Sequence, residues 1–434
     1  MTSAPPTGPP PVALPPTAQR PAGRLPSARG DFVRQLLHGT PGRMRLLAAA
    51  AVLAALGIGA VSTNALLASR AAVERAANNT AQVIRVESIH VDLLRADALA
   101  TNAFLVGGLE PADQRARYDA ALSRATTGIA EAAAAQPDDG RALGGLADDV
   151  RTYAGLVEQA RANNRLGLPV GAQYLRQASA GLRSDAIPLV QALTAANEGR
   201  ARAEFARADS RLQLLVGVAA ILVLVGVGVW LARRTHRYLN APLTGAVILL
   251  AAALLVAVSA VGGIGQATGA VARGDYATAV ALADVSTAAN DARANESLTL
   301  IARGSGAAFE KAWALDGVAV RAKLGEVGAS RSLTALWQGY TATHEKVRRL
   351  DDGGKWDEAV ALATTTKATG AGPLFEGFDR QVASERDEAS AAAIERLDGL
   401  GGTAPLYAVL LSLAALLAAW LVVRGIGRRI EEYR

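Results

Sequence analysis

Four stretches of the chain run without an ionisable side chain for long enough to cross a hydrocarbon layer, which at ~30 Å takes ~20 helical residues. They are Leu46–Ser69, Leu212–Ala232, a third within Leu239–Ala272 that is most apolar from Leu243 to Val261, and Gly399–Val423. Pro405 is placed to open the last, and Trp230 and Trp420 lie near span ends, where indoles favour a membrane interface. Composition agrees: 51% of the 434 residues are hydrophobic, yet 4% are aromatic and 19% charged. That is membrane helix diluted into Ala-rich helix, and not the core of a large soluble enzyme. The first span follows residues 1–45 and is longer than the apolar core of a secretion signal, so it reads as an uncleaved anchor.

Charge sets the orientation expected in a plasma membrane. Before the first span stand Arg20, Arg24, Arg29, Arg34, Arg43 and Arg45 against Asp31 alone. Arg233, Arg234 and Arg237 fill the short segment between spans two and three, and Arg424, Arg428, Arg429 and Arg434 outweigh Glu431 and Glu432 at the end. The long segments between spans are neutral to acidic, with 16 bases against 17 acids in 69–210 and 15 against 19 in 266–403. Positive charge stays inside, so both termini and the middle loop are expected in the cytoplasm and the long segments outside. The boundaries expected are a tail over 1–45, spans at 46–69, 212–232, 243–265 and 403–423, exterior segments at 70–211 and 266–402, a loop at 233–242 and an end at 424–434. Nine of the 17 prolines fall in residues 1–30, which predicts a solvated, disordered tail.

Both exterior segments read as helix, rich in Ala, Leu, Arg and Glu and punctuated by Gly and Pro. Val86, Ile89, Leu93, Ala96, Ala100 and Ala103 alternate spacings of three and four, the seam of a helix in a bundle. Breaks are expected at Gly107-Gly108, Gln136–Gly140, Gly167–Gly171 and near Pro188. In the second segment they fall at Gly304–Gly306, Gly328–Ser330, Asp351–Gly354 and Gly370–Pro373. The order of breaks repeats, and RADALATNAFLVGG (95–108) can be laid on RANESLTLIARGSG (293–306). Gly171-x-x-Tyr174 likewise echoes Gly353-x-x-Trp356. The expected architecture is four transmembrane helices and two tandem extracytoplasmic four-helix bundles, internally duplicated. The last helix of each bundle is interrupted by a short one, and the first and last run unbroken into the membrane.

Little chemistry is expected. Cysteine is absent, which excludes disulfides, thiol nucleophiles and cysteine-held metals. His38, His90, His236 and His344 are scattered, and His90 and His344 read as surface or bundle-edge residues. No catalytic residues, metal ligands, cofactor or nucleic-acid contacts are predicted, and the spans carry too few polar groups for transport. Arg95 and Arg293 take matching places on the first helix of each bundle and are candidates for holding a carboxylate ligand or acting in a switch. Ion pairing with Asp92 and Asp97, or with Asp291 and Glu296, is the commoner use of such arginines. Trp313, Trp337 and Trp356 all lie in the second segment; core filling is the default, and docking of a partner is the functional alternative. Arg233, Arg234, Arg237, Arg428 and Arg429 are the candidate output contacts on the cytoplasmic side.

With these modules, the Pro-rich tail and segments such as DARANESLTLIARG (291–304), the chain resembles the actinobacterial GlnX membrane proteins over about 40–434. Each module is also similar to the four-helix sensor domains of bacterial chemoreceptors. The GlnX resemblance implies a non-enzymatic transducer. It would receive an amino-acid-loaded, lipid-anchored solute-binding protein (GlnH) outside and relay its state to the cytoplasmic Ser/Thr kinase PknG. The resemblance assigns no contact residues. A structural envelope scaffold that does not switch, and a direct sensor of a small molecule, remain the alternatives.

Overall fold

A computed structural model describes residues 40–106, 110–235 and 240–431. Residues 1–39, with the Pro-rich stretch, and Arg237 lie outside the described residues, as do the side chains of Arg234 and Arg429. Every regular element among the described residues is helical. The α-helices are α1 (Thr40–Val106), α2 (Ala112–Ala135), α3 (Gly140–Arg165), α4 (Val170–Gly181), α5 (Ile187–Arg207), α6 (Leu215–Thr235) and α7 (Ala241–Arg273). They continue as α8 (Asp275–Ile301), α9 (Ala307–Glu326), α10 (Arg331–Asp352), α11 (Trp356–Thr364), α12 (Ala371–Leu400) and α13 (Ala404–Glu431).

Four helices are long and apolar enough to cross a membrane, in α1, α6, α7 and α13. Their inner faces pack through Ala51, Ala55, Ile58, Leu224, Leu250, Ala418 and Val422. Their outer faces leave Leu53, Leu222, Ile248, Leu255 and Leu406 exposed, an apolar surface of the kind that lipid covers. Within this region α1 and α13 touch at Gly59. A Cβ there would overlap the Cβ of Ala415, so glycine sets the approach of the two helices.

Beyond the apolar end, α2 to α5 pack around the outer part of α1 in one core that holds Ile89, Leu93, Tyr118, Leu146 and Tyr153. Helices α9, α10 and α12 pack around α8 in another, built on Val285, Trp337, Tyr340 and Phe378. The two groups lie against each other along α1 and α8. Smaller cores join them at both ends: Val83 with Tyr276 and Leu397 near the apolar region, and Leu105 with Leu300 and Val347 at the far end.

Continuity into the apolar region differs from expectation. Only α1 runs through unbroken, 67 residues or ~100 Å at 1.5 Å per residue. The α5–α6 junction breaks at Asp209-Ser210, where the Asp209 carboxylate pulls Arg211 back on itself. Gly274 kinks α7 away from α8 with φ −100° and ψ −105°, and Gly401-Gly402-Thr403 separates α12 from α13 just before Pro405. Pro188 lies in the first turn of α5, as expected, but no loop precedes it: α4 runs into α5 by way of a π turn, Leu182–Ala186. In the second half the expected gap is present, between α11 and α12.

Candidate functional site

An amphipathic helix normally shows polar residues to water, but α1 from Val83 to Ala103 and α8 from Val285 to Leu300 are buried on nearly every side. Small residues make this possible: the Ala and Ser of these segments let neighbours approach closely. Their polar side chains therefore have to find partners inside the protein, and they form two networks.

In the first, Asp97 on α1 is 0% exposed. It accepts from Ser179 Oγ at 2.6 Å, Arg183 Nη1 at 2.7 Å and Tyr153 OH at 3.4 Å. Arg183, in the π turn, donates its other terminus to Asp291 Oδ1 on α8 at 2.7 Å, so one guanidinium clamps a carboxylate from each half. Burial pushes the Asp291 carboxyl above the usual range, and Arg183 opposes that shift. Two residues nearer the apolar end, Arg95 makes a bidentate pair with Asp379 of α12, Nε to Oδ2 at 3.1 Å and Nη2 to Oδ1 at 2.9 Å. Arg117 pairs with Glu376, also on α12. Three arginines of the first half thus hold acids of the second.

In the second network, Glu296 is 1% exposed and pairs with Arg293 one turn before it. It also accepts from His344 Nδ1 at 2.7 Å, and His344 Nε2 lies 3.2 Å from Glu310. The Trp313 ring stacks on the imidazole, 3.5 Å between centroids and 11° between planes. Burial disfavours the imidazolium, but the hydrogen bonds to Glu296 and Glu310 outweigh it and raise the His344 pKa. Burial likewise pushes Glu296 up, and Arg293 with His344 more than offset it, leaving the carboxyl lowered. Glu310 also meets Arg348, and beyond that pair opens a cleft of about 680 Å³ lined by Arg303, Asp351, Asp352 and Trp356. Arg303 adopts φ +42° and lays its guanidinium 4.0 Å above the Trp356 ring.

The residues singled out from the sequence fall as follows. Arg95 pairs with Asp379 and Asp92, while Asp97 is held by Arg183. Arg293 is 4% exposed and holds Glu296 and the carbonyl of Ala363, 3.0 Å away at the end of α11. Both guanidiniums are therefore engaged within the chain. Trp313 and Trp337 are interior, at 9% and 1% exposure, and only Trp356 borders an open cleft. Arg233 and Arg428 are exposed at the far ends of α6 and α13. His90 and His344, expected at a surface or bundle edge, are both buried: α1 is covered on more than one side at His90, and His344 lies on the inward face of α10 against Glu296 and Trp313. Asp97, Arg183 and Glu296 carry the two networks, and the sequence alone does not single them out. For Asp97 the available signal is its place next to Ala96 of the apolar seam, where a charged residue is enclosed as soon as a second layer packs on.

Residues 72–220 match the family model described as an actinobacterial sensor domain. The match starts on α1 just beyond its apolar segment, takes in α2 to α5 and ends inside α6. No curated protein and no solved structure matches the chain. The match and the four apolar helices support an actinobacterial sensor protein of the membrane, with a sensory or signalling role.

Proposed function

We propose that the chain is a non-enzymatic transmembrane transducer, with both termini and the α6–α7 loop in the cytoplasm and helices α2–α5 and α8–α12 outside. It receives an amino-acid-loaded solute-binding lipoprotein there and relays its state to a cytoplasmic Ser/Thr kinase through Arg233, Arg234, Arg237, Arg428 and Arg429. The observation that carries this reading is α1. One unbroken helix bears the first apolar span at one end and, at the other, Asp97 and Arg95 within the ion pairs that join the two halves. A change in how the halves pack therefore displaces a rod that enters the membrane. Coupling of this kind needs ~1–3 kcal/mol, the scale of a rearranged ion pair.

The two halves are read as duplicated bundles. Tyr153 with Arg161 and Tyr340 with Arg348 have the same spacing, and Arg161 meets Glu110 at 3.0 Å as Arg348 meets Glu310 at 3.3 Å. Direct sensing of a small molecule is a second reading, favoured by the mixed-charge cleft beside Trp356.

The test is photo-crosslinking from positions 233 and 428 in cells with and without the amino acid. A relay changes the crosslinks to a kinase-sized partner on addition. Identical patterns in both conditions sink the relay and leave a scaffold.

A further inference from the structure

Where the first half meets the apolar region, α1, α5 and the α2–α3 turn leave an open groove of about 920 Å³. Its width follows from sequence: Ala81, Ala196, Gly199 and Ala203 line it, so no side chain fills the space between the helices. Longer side chains line it as well. Arg75, Arg85, Arg200 and Arg207 all border the groove, with the amides of Asn78 and Asn79.

The charges do not cancel. Glu204 is the acid among the lining residues, and both of its oxygens are engaged, one by Arg75 Nε at 2.9 Å and the other by Arg207. Arg200 donates one terminus to Asp139 Oδ1 at 2.6 Å, while its Nε is buried with no hydrogen-bond partner among the described residues. Arg85 donates to Gln82 Oε1 at 2.5 Å and meets no acid among the described residues. Four guanidiniums thus face two carboxylates, leaving a charge of +2. Free N–H donors of fixed fork geometry fit an anion with several acceptor oxygens, and the surplus charge repels cations. Arg75 lies ~9 Å beyond Ser69 along α1 and Arg85 ~24 Å. A headgroup layer is ~5–8 Å deep on each side of the hydrocarbon, so one end of the groove adjoins that layer and the other opens into water.

We infer that this groove binds a phosphate ester, carried by an anionic lipid headgroup or by a soluble molecule. The inference is independent of the partners proposed above and of which side of the membrane the groove occupies.

The test uses the full chain in nanodiscs. In phosphatidylcholine discs, glycerol 3-phosphate is titrated by calorimetry. In discs that also contain phosphatidylglycerol, retained lipid is counted by native mass spectrometry and backbone exchange is followed over 75–85 and 196–207. The double variant R85Q/R207Q should weaken whichever ligand binds by about tenfold or more, and Arg75, still paired with Glu204, keeps the variant folded. R151Q, which removes one positive charge at an exposed site elsewhere, should leave binding unchanged. A signal confined to the lipid arm identifies a headgroup, and one in the soluble arm a free phosphate; either supports the site. Absence of binding in both arms, or equal weakening by R151Q, overturns it.

Discussion

Asp97 has no contact with water, and its charge is tolerated because Arg183, Ser179 and Tyr153 replace the solvent it lost. Removing the cation while leaving the anion is the costly change. Arg183→Met strands both Asp97 and Asp291 and should destabilise the protein by roughly 3–5 kcal/mol. Asp97→Asn keeps an acceptor for Ser179 and should cost clearly less; thermal unfolding in detergent compares the two. His344 gives a pH dependence whose sign follows from its raised pKa. The stabilisation from its ion pairs is complete below about pH 6.5 and is lost as pH rises through the folded value. Glu296, lowered, acts at the other end: its contribution is present above its ordinary value and is lost only as pH falls through the folded one. The Tm of the wild type should therefore fall as pH rises above about 6.5, and His344→Gln should flatten that slope. An unchanged slope in the variant would show that the titrating group lies elsewhere. Asp316 adds a term in the same direction at lower pH, since burial and the charge of Asp291 push it up to about 6.

At the scale of elements, much was legible. The breaks read at Gln136–Gly140, Gly167–Gly171, Gly304–Gly306, Gly328–Ser330 and Asp351–Gly354 all fall between helices, because glycine and proline act locally. Pro188 does sit in the first turn of α5, but the break expected before it is replaced by a π turn that keeps the chain helical and carries Arg183. The partners of Arg95 and Arg183 were not legible either. Asp379 lies 284 residues from Arg95, and periodicity names the inward face of a helix but says nothing of a second layer that covers its back. Within the apolar region the contact of α1 with α13 is open to a direct check, since the chain has no cysteine of its own. Thr63 Oγ1 and Ser412 Oγ lie 3.2 Å apart, so a T63C/S412C pair should form a disulfide readily in membranes. Gly59→Val forces its side chain into Ala415; it should lower the disulfide yield and cost about 1–3 kcal/mol by overpacking. Full crosslinking in the Gly59→Val background would show that α1 and α13 do not approach through that glycine.

Taken whole, the molecule joins its halves by a seam whose composition differs from that of either core. Leu93, Tyr153, Trp337 and Phe378 make each half apolar inside, whereas Arg95 with Asp379, Arg183 with Asp291 and Arg117 with Glu376 join one half to the other. Apolar packing resists graded change, since an interior at close-packed density offers few alternative arrangements. Ion pairs exchange partners at lower cost, and Arg95 already has two acids within reach, Asp92 at 3.4 Å and Asp379. A sensor needs two arrangements separated by a few kcal/mol, and the seam is where this chain can supply them. The consequence is specific. Reversing one partner, by Arg95→Asp or by Asp379→Arg, sets like charges against each other and should loosen the seam, with faster backbone exchange along α8 and α12. Reversing both should restore protection, because the pair is rebuilt with its charges swapped. A double-mutant cycle on thermal stability should give a coupling of about 1–3 kcal/mol for the pair, above the ~0.3–0.5 kcal/mol of additivity error. A coupling within that error would mean that the halves are held by their small apolar joints at Leu105 and Tyr276, and that the ion pairs merely decorate the seam.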